Sequence, residues 1–214
     1  MRGIAAIIER YDRPFEYLGV LLKLIIVFQF WSLWYAPQPE DVARITNLAT
    51  LMAFEFIMVH SGIFMALFPK KISLYVFVPF YGLFALAFTA IMDDYTVLII
   101  YLFVIFNRMR FAFSDVPTWM RDRAIITSIM AMIFYFVLII ASSSIPLPKF
   151  GLNETYLEAV QFSSFSDTEG TFIDEPHTAM AFGIFYYLTL ALFEVYLIKK
   201  FRHHYKKIST LVKR

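Results

Sequence analysis

Residues 17–36 read YLGVLLKLIIVFQFWSLWYA, twenty positions carrying one charge, Lys23, and no proline. A strand is far shorter, and a soluble amphipathic helix interrupts its apolar stripe with polar residues every turn. An uninterrupted run of this length matches a helix crossing the hydrocarbon core of a bilayer, which takes about 20 mostly apolar residues. Trp31, Trp34 and Tyr35 close the run, as aromatic side chains do where a membrane meets water. The segment does not read as a cleavable signal. Arg2, Glu9, Arg10, Asp12, Arg13 and Glu16 precede it, and the bulky Trp34-Tyr35-Ala36-Pro37 follows in place of a small-x-small cleavage site.

Working outward, five further runs have the same character: residues 45–68, 72–92, 95–113, 124–141 and 178–198. The run at 95–113 is the least clean, because Asn107, Arg108 and Arg110 follow Phe106. Bulk composition agrees. Hydrophobic residues make up 60% of the chain and charged residues 17%, against about 45–50% and about 25% in soluble domains. The expectation is an all-α, polytopic transmembrane bundle of six spans.

Basic residues orient it. Cytoplasmic segments of membrane proteins are enriched in Lys and Arg. With six spans and both termini in the cytoplasm, all but three of the 19 basic residues fall on the inner side; the three are Lys23, Arg44 and Lys149. The acidic residues Glu40, Asp41, Asp93, Asp94, Glu154, Glu158, Asp167, Glu169, Asp174 and Glu175 then lie outside.

Three pieces flank the spans. Residues 1–16 place Ile4, Ile7, Ile8, Tyr11 and Phe15 at helical spacing among charges, the pattern of a cytoplasmic interfacial helix that Pro14 is expected to end or kink. The outer loop 142–177 opens with Ser-Ser-Ser-Ile-Pro-Leu-Pro and carries Thr155 and Glu158 at capping-box spacing, predicting a short helix. Residues 199–214 form a basic cytoplasmic tail, in which Lys199, Lys200, Arg202, Lys206 and Lys207 are placed to meet anionic lipid.

An ionisable side chain inside a bilayer costs about 2.5–3.5 kcal/mol on insertion scales, so such residues are the first candidates for function. They are Glu55 and His60 in the second span, Lys23 in the first, Glu194 in the last and Arg108 at the end of the fourth. Glu55 lies near the midplane. His60, five residues on, points about 140° away from it, so each needs a partner from another helix. Outside the membrane, Glu169 and the group Asp174, Glu175 and His177 are candidates for attracting cations. Asn153-Glu154-Thr155 is a glycosylation sequon in a cell that glycosylates. Small residues four apart, such as Ala49 and Ala53 or Ala179 and Gly183, allow close helix contact.

The chain has no cysteine, which excludes disulfides, thiolate metal sites and cysteine catalysis. No HExxH, GxSxG, P-loop or dinucleotide glycine fingerprint occurs. A net charge of +2 gives no ground for a nucleic-acid partner. The expected protein is therefore not an enzyme and needs no cofactor or metal. It is a non-catalytic subunit or assembly partner of a larger membrane complex, in a prokaryotic cytoplasmic membrane, meeting other membrane subunits or its own copies. Two alternatives involve transport. In plan, with six spans, arginines on the fourth and a long outer loop before the last, the chain resembles voltage-gated-like cation channels. A resemblance of this kind implies that Glu169 faces the permeating ion. The other alternative is a proton- or cation-coupled transporter using Glu55.

Overall fold

A computed structural model of the chain describes residues 2–92, 118–162 and 171–201, all as helices and their connections, with no strand among them. Side chains are described for most of these but not for residues 2–10. Six helices organise the described chain: α1 (Arg2–Tyr35), α2 (Val42–Leu67), α3 (Val78–Met92), α4 (Thr118–Ser144), α5 (Glu154–Ala159) and α6 (Pro176–Lys200). Among the described residues, four stretches are long and apolar enough to cross a membrane: Tyr11–Tyr35, Pro39–His60, Thr118–Ser144 and Pro176–Lys200. These correspond to the first, second, fifth and sixth expected spans. The fourth, at 95–113, lies outside the described residues together with Arg108, Glu169, Arg202, Lys206 and Lys207.

The third expected span, 72–92, is reshaped. Its regular part is α3, 15 residues, preceded by one turn at Lys70–Ile72 and a π-helical turn at Ser73–Phe77. Pro79 supplies a reason. It has no N–H to bond the Tyr75 carbonyl, and its ring crowds that carbonyl in a regular helix, which the wider π turn relieves. The three pieces follow one another without a break from Lys70 to Met92, and α3 alone accounts for about 22 Å at 1.5 Å per residue.

The first 16 residues are not a separate helix. α1 runs from Arg2 through Pro14 to Tyr35 without a break. A proline inside a helix removes one backbone bond, a loss that helices at membranes tolerate when neighbouring groups compensate. Real stops occur where proline follows closely. α1 ends one residue before Ala36-Pro37, α2 two before Pro69, and α4 just ahead of Ile145-Pro146. Between α1 and α2, the backbone N–H of Gln38 donates to Asp41 Oδ2 at 3.0 Å, fixing the 3-10 turn Pro39–Asp41 that starts the next helix. The cap of α5 is Asn153, not Thr155: its side chain accepts from the Tyr156 N–H at 3.0 Å, and the expected capping box is not the one used. At α6 the first residue is Pro176, whose missing donor costs nothing there.

The chain divides into two compact units. One comprises Met1–Leu21, Ile57–Met132 and Ala191–Arg214; the other comprises Leu22–Phe56 and Ile133–Leu190. In the second unit α6 is the central helix, with Ala179, Met180, Ala181, Phe182 and Tyr186 fully buried. Its Gly183 faces the ring of Phe30 on α1, and a Cβ there would stand 2.6 Å from Phe30 Cε1, so only glycine permits this approach. The small pair Ala179 and Gly183 thus marks a real close contact. In the first unit Val20, Ala191 and Ile198 form a buried cluster, with Val195 packed against it.

Candidate functional site

Two polar constellations stand out, one in each unit: a half-buried glutamate among buried tyrosines, and a buried ion pair. In the unit centred on α6, Glu55 of α2 meets a tyrosine cluster. Tyr186 Oη donates to Glu55 Oε1 at 2.9 Å and Tyr187 Oη to Oε2 at 3.4 Å. Tyr135 of α4 packs edge-on against Tyr186, ring centroids 5.5 Å apart, and donates its own hydroxyl to the Met52 carbonyl at 2.8 Å. Phe182 and Phe30 complete the apolar wall against Tyr135 and Tyr187. The sequence dictates this placement. Residues 186 and 187 are adjacent on a helix, so about 100° separates their side chains, and two phenols reach the two oxygens of one carboxyl. Tyr135 and Tyr186 come from different helices, so the cluster ties α2, α4 and α6 together through hydrogen bonds that replace lost water.

In the other unit, Arg123 near the start of α4 is 2% exposed and Asp12 of α1 is 0% exposed. The guanidinium grips Asp12 with both branches, Nη1 to Oδ2 at 2.8 Å and Nη2 to Oδ1 at 3.0 Å. Nη2 also reaches Glu16 Oε1 at 2.9 Å. Asp12 and Glu16 are four apart and share a face of α1. One turn before Arg123, the ring of Trp119 lies 5.7 Å from the guanidinium carbon, a cation–π distance. A planar fork against a carboxylate is the geometry for which arginine is suited and lysine is not.

The other expected residues do not gather into a site. His60, Lys23 and Glu194 are half-buried, and Lys199 and Lys200 are exposed at the end of α6. Lys200 Nζ lies 6.0 Å above the Tyr196 ring. Asp174 and Glu175 are exposed while His177 is buried, its ring nitrogen 3.5 Å from Thr178 Oγ1. Among the described residues no group of three His, Cys, Asp or Glu side chains is placed to hold a metal ion. In the sequence Glu55 is conspicuous and its tyrosines are not, their one local signal being the adjacent Tyr-Tyr within an apolar span. Arg123 is one inner-side charge among many, and Asp12 one member of a charged, amphipathic segment.

The outer connections are fastened separately. Trp34 Nε1 donates to the Pro148 carbonyl at 2.9 Å, the Gly151 N–H donates to the Trp34 carbonyl at 3.1 Å, and Tyr156 Oη donates to the Gln38 carbonyl at 2.7 Å. On the surface Lys149 Nζ pairs with Glu154 Oε1 at 2.8 Å. That contact raises the lysine pKa and lowers the carboxyl pKa. Compared with protein-family models, with curated proteins and with solved structures, the chain matches none.

Proposed function

We propose that the protein is a non-catalytic subunit or assembly partner of a membrane complex, crossing the bilayer six times with both termini in the cytoplasm of a prokaryotic cell. The observation that carries this reading is the bareness of α4. In its most apolar stretch 6% of residues are buried, against 61% in α6. Ile126, Ile129, Ile133, Phe136 and Ile140 stand exposed along it at alternating spacings of three and four, the repeat that seats one helix against another. Within the chain the polar groups are turned to structural use. Glu55 accepts hydrogen bonds on both carboxyl oxygens, so it acts as a tie between helices.

The test has two parts. Extraction into lipid nanodiscs without harsh detergent, with a photo-crosslinking residue at Ile133, should give protein adducts and a particle heavier than one chain. A monomer with lipid adducts only would overturn the reading. As a second part, Glu55→Gln should leave assembly intact, because a neutral amide still accepts a phenol hydrogen bond.

A second reading is favoured by the same Glu55: a carboxyl inside a candidate span, hydrogen-bonded by neutral phenols, is a group that can take up and release a proton. On that reading, proton- or cation-coupled transport, Glu55→Gln abolishes flux in proteoliposomes. Unchanged flux removes it.

A further inference from the structure

The segment between α4 and α5 has an unusual surface. Phe150 adopts a left-handed backbone, φ 44°, a conformation costly for a bulky residue and found where surroundings impose it. The bonds of Trp34 to Pro148 and of Gly151 to Trp34 hold the backbone on either side. The result is a ring placed 4.9 Å from Trp34, 5.9 Å from Tyr35 and 6.1 Å from Trp31, yet left 43% exposed. Trp31 and Tyr35 stack at 5.6 Å with their planes 10° apart and are exposed as well. Ile145, just past the end of α4, is 58% exposed.

This ridge is continuous with an exposed apolar stripe. Leu24, Phe28, Trp31 and Tyr35 are all exposed on α1, at spacings of four, three and four, so one uncovered apolar face climbs the candidate span and ends at Phe150. The backbone also suits a poorly hydrated place. Pro146 and Pro148 have no N–H to satisfy, the Ile145 N–H is bonded to the Ala141 carbonyl at 3.0 Å, and the Pro148 carbonyl is taken by Trp34. Lys149 faces away to pair with Glu154.

We infer that Ile145 and Phe150, with Trp31 and Tyr35, form an anchor that seats the outer loop in the headgroup–glycerol zone of the bilayer. The occupant is phospholipid, because the stripe that the ridge prolongs belongs to a helix long and apolar enough to lie in lipid. The anchor fixes the loop at the membrane surface and leaves the α5 side of the loop in water.

The absence of cysteine makes the test direct. Ile145→Cys and, separately, Phe150→Cys create single attachment points for an environment-sensitive fluorophore, with Glu158→Cys on the exposed side of α5 as the reference. In nanodiscs, a lipid quencher near the headgroup should quench the labels at 145 and 150, and iodide should quench them at least about threefold less than the label at 158. Unchanged tryptophan emission and circular dichroism verify that each variant folds, and the conservative Ile145 site serves if Phe150→Cys does not. Iodide quenching equal at 145 and 158 overturns the proposal in favour of a loop in water. Protection from both quenchers also overturns it, in favour of another protein chain.

Discussion

The Arg123 site and the Glu55 site each place a carboxylate among helices, and they do so by opposite chemistry. Around Arg123, full charges face each other, with two carboxylates from one face of α1 and one guanidinium from α4. Around Glu55, the neutral phenols of Tyr186 and Tyr187 donate to the carboxyl oxygens, and the wall is aromatic. A buried ion pair gains strong attraction against a large desolvation cost, so its strength shows mainly when one partner is removed. A carboxyl held by phenols relies on individually modest hydrogen bonds that add geometry more than energy. The first arrangement fixes which segments meet. The second can lose a member and keep its shape.

The largest effect is therefore expected at Arg123. Arg123→Ala leaves the fully buried Asp12 without its guanidinium and should cost about 3–5 kcal/mol, read by denaturant-induced unfolding in bicelles with tryptophan emission as the signal. Arg123→Lys should recover only part of this, since an ammonium cannot grip both oxygens of Asp12 and reach Glu16 together. Joint replacement by Asp12→Leu, Glu16→Gln and Arg123→Met should recover most of it, because apolar packing then replaces the pair. If Arg123→Ala proves neutral, the contrast between the two sites collapses.

Next comes the tyrosine cluster. Tyr186→Phe removes the 2.9 Å bond to Glu55 and keeps the ring stacking. The expected cost is about 0.6 kcal/mol, the average for interhelical hydrogen bonds in a membrane. Tyr187→Phe, losing a 3.4 Å contact, should cost less. A cost for Tyr186→Phe approaching that of Arg123→Ala would mean that the Glu55 carboxyl depends on the phenols as a charge depends on a counter-ion.

How much of this was legible beforehand follows from the period of each signal. Apolar runs are local, so the spans that became α1, α2, α4 and α6 could be read directly, with ends displaced by a few residues except at the start of α1, which reaches back to Arg2. Glu55 stood out because a charge in such a run is conspicuous. Its partners did not, because Tyr135 lies 80 positions from Glu55 and nothing local encodes that distance. Asp12 and Arg123 were hidden more deeply. Both sit in charge-rich segments where topology alone accounts for a basic residue, so neither looked anomalous until tertiary contact buried them. Of the two outcomes expected at Pro14, an end to the helix does not occur, because the helix runs on into an apolar span.

The smallest effect is expected where charges meet in the open. Lys149 and Glu154 lie 2.8 Å apart, at the same spacing as the Arg123 contacts, so distance alone does not separate the two cases. Exposure does. Water and salt screen the surface pair, and ordering two long side chains offsets most of the attraction. The shifts give its pH window. Hydrogen bonding to Lys149 holds Glu154 below the ordinary carboxyl value of 4.5, so the pair's contribution is present above that value and is lost as pH falls through the lower folded one. Lys149 is held above 10.5, so the contribution is present below 10.5 and is lost as pH rises through the higher folded value. Glu154→Gln should leave the unfolding midpoint at pH 7 unchanged within error, at low and high salt alike. Its only signature should be the return of Lys149 toward an ordinary lysine titration, followed by NMR of the labelled ammonium. A clear loss of stability in Glu154→Gln would show that the outer loop, not the buried guanidinium, is where this protein depends on paired charge.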